Sequence, residues 1–395
     1  MTADVAASRR ELLKVGTAAA VSMAMPAIVR GQSPLQLDFV TIGDPDGWHP
    51  SLRLKGDWLV IVVTDGVRSG YGEASHSRDD PGCRAAAARL FPEYFDEVIR
   101  RPGVLSREWL SAKERELASL DSDFVTATAL SGINQALYDL LAKREQVPVW
   151  QLFADSTTLD SLPLYTTINR TLQQRTRAEY LDVVAAVATQ GFDTFKCAPF
   201  EAVDSPAGGL QKSAAGIQTL AALREAQPDI AIRVDFHERF APADFYELLE
   251  TFDRLRLDWL EEPFPMGPDF AALQRRTSIR IAAGELFWGG RRFAEIADNA
   301  WADVIMPDVK HVGGFGPLLD VIEAARGAVE ISPHNPSGPI STAASLHAAA
   351  LFPDVVGSLE FPFDRNGVRA VTGEQVSGGR VYLSEAAGWG VSPPR

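Results

Sequence analysis

The chain has 395 residues, 46% hydrophobic and 23% charged, which is long enough for two domains around a sizeable core and matches an ordinary globular composition. Its net charge of minus 14 argues against nucleic acid or an anionic membrane surface as a partner, since no basic patch relieves the repulsion. Cys83 and Cys197 are too few and too far apart for a disulfide framework or a cysteine-rich metal site.

Residues Ser8 to Lys14 read SRRELLK and precede a mildly apolar run from Val15 to Ala27. The paired Arg9 and Arg10, the following Leu12 and Leu13, and an apolar stretch too short to span a bilayer resemble a twin-arginine export signal. Residues 1–32 are therefore expected to be an export signal outside the fold, with a periplasmic protein and no stable membrane anchor as the consequence. An incidental basic N-terminus is the alternative.

From Leu35 to Ala74 the strand-like runs LQLDFVTI, WLVIVVT and VRSGYGEA are separated by DPDGWHP and the Asp65-Gly66 turn, which predicts an antiparallel meander. Helical spacing of apolar residues follows over Ala85 to Arg100, Arg107 to Leu120 and Ala127 to Glu145. Residues 33–145 thus read as a separate α+β domain. From Leu162 on, eight apolar segments alternate with helical sequence, from LPLYTTI as the first to VVGSLEF as the last. Lys196, Asp235, Glu261, Glu285, Asp308, His334 and Glu360 each close one of these segments, and after Asp235 they recur roughly every 25 residues, the length of a strand, a helix and two short loops. Eight βα units close more readily as a barrel than as an open sheet, and no GxGxxG or Walker-type loop supports a nucleotide-binding sheet. Residues 146–367 are expected to form this (β/α)8-type barrel, and the Gly-rich tail 368–395 to pack back on the first domain.

In such a barrel the C-terminal strand ends gather at one mouth. Asp235, Glu261 and Glu285 then stand on consecutive strands, and three hard oxygen ligands with open positions suit Mg2+. The plain alternative is solvated strand ends, or salt-bridge partners for Arg233 and Arg291. Asp308 and His334 end successive strands, so the carboxylate can orient the imidazole and raise its basicity.

The motifs RVDFHERF, WLEEPFP, AAGELFWG, MPDVKHVGG and SPHNPSGPIS, in this order and at barrel spacing, resemble the enolase superfamily, in its mandelate racemase and muconate lactonizing branch. The resemblance covers nearly everything after Leu35 and implies a modified TIM barrel with an N-terminal α+β capping domain. It implies that Glu261, the first Glu of EEP, is the metal ligand and Glu262 a supporting residue. It also implies a Lys or His base acting beside Mg2+ on the proton α to a carboxylate.

Lys196 matches the first lysine of the family's KxK motif, but Ala198 stands where the second would be, which weakens a racemase reading. His237, in a D-x-H spacing after Asp235, resembles the histidine that protonates the departing hydroxyl in several acid-sugar dehydratases, with Arg239 beside it. Glu360 resembles the acid that hydrogen-bonds the developing enediolate. His311 takes a position often held by lysine, where it either touches substrate or supports the site. Trp48 and His49 fall where the family's capping loop contacts substrate, or else in a surface turn.

These readings converge on a Mg2+-dependent lyase acting on a small carboxylate, an aldonic or aldaric acid. His334 is expected to be the base, with Asp308, His237, Lys196 and Glu360 completing the catalytic set. Lys196, His311, Trp48 and His49 are expected to bind substrate, and nothing in the chain forbids a homo-oligomer. The rivals are a racemase or epimerase on the same scaffold and a non-catalytic periplasmic sugar-acid binder.

Overall fold

The computed structural model describes residues 33–42, 58–75, 78–120, 122–206, 208–364 and 368–394. The expected export signal, Trp48 and His49 lie outside the described residues. Strands β1 (Gln36–Ile42), β2 (Trp58–Thr64) and β3 (Ser69–Glu73) pair antiparallel in sequence order. β2 is central and buried on both faces, as its unbroken apolar run requires. Helices α1 (Asp80–Tyr94), α2 (Asp96–Arg100), α3 (Arg107–Leu117) and α4 (Phe124–Glu145) follow. The side chains of Asp79, Ser106 and Asp123 cap α1, α3 and α4 by accepting from backbone N–H groups of the first turn.

α4 is buried on all sides from Ala127 to Ala142, because β3 and β2 cover it on one side and the barrel on the other. Its close approach to β3 needs glycine. A Cβ at Gly70 would sit 2.0 Å from Ala136 O, and one at Gly72 would sit 1.9 Å from Gly132 O.

The barrel opens with β4 (Ser161–Thr167), α5 (Arg177–Thr189), β5 (Thr194–Cys197), α6 (Gly209–Lys212), α7 (Ala214–Ala226) and β6 (Ala231–Asp235). It continues through α8 (Pro242–Tyr246), α9 (Leu249–Arg254), β7 (Trp259–Glu261), α10 (Pro268–Gln274), β8 (Arg280–Ala283) and α11 (Arg291–Asn299). β9 (Val304–Ile305), α12 (Phe315–Ala325), β10 (Glu330–Ile331), α13 (Pro339–Leu351) and β11 (Leu359–Pro362) complete it. Successive strands from β4 to β10 pair in parallel, and β11 pairs in parallel with β4. Gly357 N donates to Ile331 O at 3.2 Å and Glu360 N to Pro333 O at 3.3 Å, which joins the last strand to β10 and completes the ring of eight. The barrel expectation therefore holds. All seven connections between these strands are helical; after β11 the described chain forms a 3-10 turn over Val368–Thr372 and a hairpin, β12 (Val376–Ser377) and β13 (Arg380–Tyr382). β13 pairs antiparallel with the start of β4, so a hairpin stands where an eighth helix would.

The tail then reaches the first domain. Trp389 N donates to Asp139 Oδ1 and Trp389 Nε1 to Tyr71 O, both at 2.8 Å. The residues from Ser33 on form one compact unit. Among the described residues no helix is long and apolar enough to cross a membrane.

Candidate active site

Parallel register brings the acidic strand ends together. Asp235 on β6 is the direct partner of Glu261 on β7, and Glu285 follows the end of β8 by two residues. All three are buried, and each offers an oxygen within 4.8 Å of the others. Burial pushes the Glu261 carboxyl well above the ordinary range, against the pull of Lys196. Burial is the largest influence on Glu285 and raises it, but the charge and hydrogen bond of His334 together with the charges of Lys196 and His237 outweigh it and hold that carboxyl well below the ordinary range. Three buried hard oxygens packed this closely fit a divalent cation of the Mg2+ type.

Lys196 ends β5 beside this trio. Its Nζ lies 2.6 Å from Glu261 Oε1, 2.9 Å from Glu360 Oε1 and 4.0 Å from Asp235 Oδ2. Burial alone would lower its pKa, but these carboxylates raise it well above the usual lysine value, so the group is cationic. Glu360 Oε2 accepts from Asn335 N at 3.2 Å and from Tyr165 Oη at 3.4 Å. Ala198 lies just past β5 and lines no part of the cavity described below.

His334 Nδ1 is 2.7 Å from Asp308 Oδ2, and its Nε2 is 3.0 Å from Glu285 Oε2 and 3.7 Å from Glu360 Oε2. The expected pairing of Asp308 with His334 is present. Burial disfavours the imidazolium, but Glu285, Glu360 and Asp308 push the His334 pKa up to about 10. Asp308 has a second partner that the sequence reading missed: Lys310, fully buried, places Nζ 2.6 and 2.8 Å from its two oxygens. Burial raises Asp308, but Lys310, His311 and His334 together hold it well below the carboxylate range.

His311 does not line the cavity, which corrects the expectation of a substrate contact. It sits behind Asp308, its Nε2 3.7 Å from Asp308 Oδ2, its Nδ1 2.9 Å from Thr128 Oγ1 and its ring 4.5 Å from that of Phe124. Burial lowers its pKa to about 3. Arg239 also stays off the cavity, donating to Val203 O at 2.9 Å. Arg233 is engaged by Asp258 and stacks over Trp259, so it does not pair the acidic trio.

His237 does reach the cavity, from a turn past the end of the strand. β6 ends at Asp235, and His237 sits in a left-handed turn at φ 49° with its N–H donating to Asp235 Oδ1 at 2.9 Å and its Nε2 2.8 Å from Asp235 Oδ2. The Asp235 charge raises its pKa. Glu262 at φ 40° accepts from Gly284 N at 2.9 Å, and burial lifts its carboxyl to about 8.

All of this opens on a cavity of about 420 Å³ lined by Lys196, Asp235, His237, Glu285, His334 and Glu360. Thr167, Asn169, Arg170 and Arg175 from the end of β4 and its following loop line it too, as does Arg78 from the first domain. Asn169 and Arg170 lie just past a barrel strand, the same signal that marks Lys196, and could have been found by it. Arg78 carries no comparable signal. Among the described residues eight non-glycine positions have positive φ; Gln146, Arg256 and Ala300 end helices, while Arg78, Arg175, His237, Glu238 and Glu262 lie at or beside the cavity.

Two family profiles match separate parts of the chain. The sequence profile of the family described as Enolase C-terminal domain-like matches residues 179–395. That described as Mandelate racemase / muconate lactonizing enzyme, N-terminal domain, matches residues 57–154. The chain is 30% identical over 230 residues to a D-galactonate dehydratase of Klebsiella pneumoniae (strain 342), a match that covers 56% of this chain and 58% of that relative's length. Among solved structures it is similar to a mandelate racemase/muconate lactonizing enzyme-like protein from Rubrobacter xylanophilus DSM 9941, at TM-score 0.76 and 24% identity over 92% of this chain and 95% of the other. A mandelate racemase/muconate lactonizing enzyme from Jannaschia sp. CCS1 gives TM-score 0.75 and 22% identity over 91% and 95% of the two chains.

Proposed function

Since this chain belongs to the Enolase C-terminal domain-like family and carries the mandelate racemase / muconate lactonizing enzyme N-terminal domain, we propose that it is a Mg2+-dependent lyase. Its substrate is an acid sugar, from which it removes the proton α to the carboxylate and expels the β-hydroxyl as water. The observation that carries this reading is one cavity in which His334 and His237 both stand beside the buried Asp235, Glu261 and Glu285.

Asp235, Glu261 and Glu285 would hold the divalent ion, which supplies Lewis-acid charge to the substrate carboxylate. Asp308 accepts the Nδ1–H of His334 and turns Nε2 towards Glu285 and the cavity. With Glu285 holding a divalent ion, the negative charge that keeps the imidazole protonated would be offset, and Nε2 would then be free to take the α-proton. Lys196, kept cationic by its carboxylate partners, places positive charge where negative charge develops on the substrate. His237 is positioned to give a proton to the leaving hydroxyl; the C–O bond breaks, water departs, and the enol product becomes a 2-keto acid. The similarity to a D-galactonate dehydratase supports the substrate class.

Racemisation on this scaffold needs a second base facing His334. Ala198 supplies none, and Lys196 at 2.6 Å and 2.9 Å from two carboxylates is an ion-pair partner, not a neutral amine. A screen of acid sugars with a 2-keto-acid assay and with α-hydrogen exchange in deuterated water tests the proposal. Release of a 2-keto acid that stops with chelator and returns with Mg2+ is the expected result. Exchange with inversion and no keto acid would instead assign a racemase, and binding without any turnover a sugar-acid binder. We extend the proposal to export of the folded protein through Arg9 and Arg10, checked by whether R9K with R10K retains it in the cytoplasm.

A further inference from the structure

Three arginines of the cavity wall take no part in the ion site or in the proton transfers. Arg170 is half-buried on the loop after β4, and although burial lowers its pKa to about 10, it is still a cation at neutral pH. Arg175 is held in place by Glu201 and by donating to Asn169 O at 3.0 Å, with its backbone at φ 53°. Arg78 comes from the opposite, capping side, at φ 67°, with its guanidinium 5.2 Å from the Phe124 ring centroid. A left-handed backbone costs a non-glycine residue about 1 kcal/mol or more, and here two arginines hold it at the same cavity.

Lys196 sits at a strand end, in register with Thr167 of β4. Arg170 and Arg175 follow that strand end in the chain and line the same cavity as Lys196 while belonging to neither the ion site nor its carboxylate partners, which leaves them available to a second anionic group of the substrate. Guanidinium groups are the side chains best shaped to bind a carboxylate in a two-pronged fashion. We infer that the substrate carries a second carboxylate at its far end, received by Arg170, Arg175 and Arg78, so that the enzyme prefers sugar diacids (aldarates) to the corresponding monoacids (aldonates). The inference rests on the acid-sugar reading above and narrows it.

The test is a set of matched pairs, each an aldonate and the aldarate of the same configuration, beginning with D-galactonate and galactarate. These differ at C6 only, an alcohol against a carboxylate. Binding is measured by titration calorimetry with Mg2+ present, and turnover separately by keto-acid release. At least one diacid should bind about tenfold to a hundredfold more tightly than its monoacid, the factor that charged hydrogen bonds are worth. Arg170→Met, and independently Arg78→Met at an exposed position, should each shrink that ratio. A diacid preference without turnover would uphold the inference and count against the lyase reading. Turnover of aldonates with no diacid favoured in any pair would leave the lyase reading standing and overturn the inference, as would a preference that survives both substitutions.

Discussion

At the scale of single residues, the two histidines divide the chemistry by what holds each of them. His334 hangs from Asp308, whose other oxygen contacts belong to the buried Lys310. Asp308→Asn would leave that lysine buried without its counter-charge and should destabilise the fold by about 3 to 5 kcal/mol, read as a lower Tm, so it is a poor probe of catalysis. His334→Asn leaves Asp308 paired with Lys310 but removes the cation beside the buried Glu285, so Mg2+ affinity is measured with it, and it should lower α-proton exchange and turnover together by about a hundredfold to ten-thousandfold. Unimpaired exchange in that variant would remove His334 from the base position. His237→Asn should slow elimination more than exchange, because the leaving hydroxyl and not the α-proton depends on it. His237 Nε2 also lies 2.8 Å from Asp235, so Mg2+ affinity must be measured alongside. Equal losses of exchange, elimination and Mg2+ affinity would show that this histidine serves Asp235 only.

At the scale of elements, the pairing of α4 with β3 fixes how the first domain meets the barrel. An added Cβ at Gly72 meets a backbone carbonyl at 1.9 Å, where no side-chain rotation relieves it, so Gly72→Ala should cost about 1 to 3 kcal/mol in urea unfolding. Gly267→Ala, whose Cβ meets nothing within 4 Å, is the control expected to be near neutral. The end of β3 also reaches the site: Glu73 accepts from Gly338 N at 2.6 Å and Ser341 N at 3.1 Å, capping α13 and so fixing the segment that follows His334. The strand-end residues were legible in the sequence because parallel strands of one polarity force their ends to converge. Glu73 and Arg78 were not, since their meeting with the barrel depends on packing between segments more than a hundred residues apart. The contacts of Lys310 with Asp308 and of His237 with Asp235 were not legible, because each folds back on an acid two positions earlier in a turn that no periodicity describes. The terminal hairpin replaced a helix where Gly373, Gly378 and Gly379 take left-handed φ values that favour turns.

At the scale of the molecule, three distant segments meet at His347 on α13. Its Nδ1 accepts from Trp150 N at 3.2 Å, and its Nε2 faces Trp389 O at 3.3 Å, an arrangement that requires the neutral ring with its proton on Nε2. A proton on Nδ1 would set two donors against each other and break the link between the barrel, the segment after α4 and the tail. Burial accordingly lowers the His347 pKa from 6.5 to about 4. The unfolded chain therefore binds this proton at a higher pH than the folded one. The contribution to stability is complete above pH 6.5 and is lost as the pH falls towards 4, by roughly 3 kcal/mol over that window. His347→Gln should lower stability at pH 8, where the native contacts are intact, and flatten the fall between pH 6.5 and 4 relative to the natural protein. Parallel pH profiles of the two proteins in chemical denaturation would show instead that the acid sensitivity of the fold arises elsewhere.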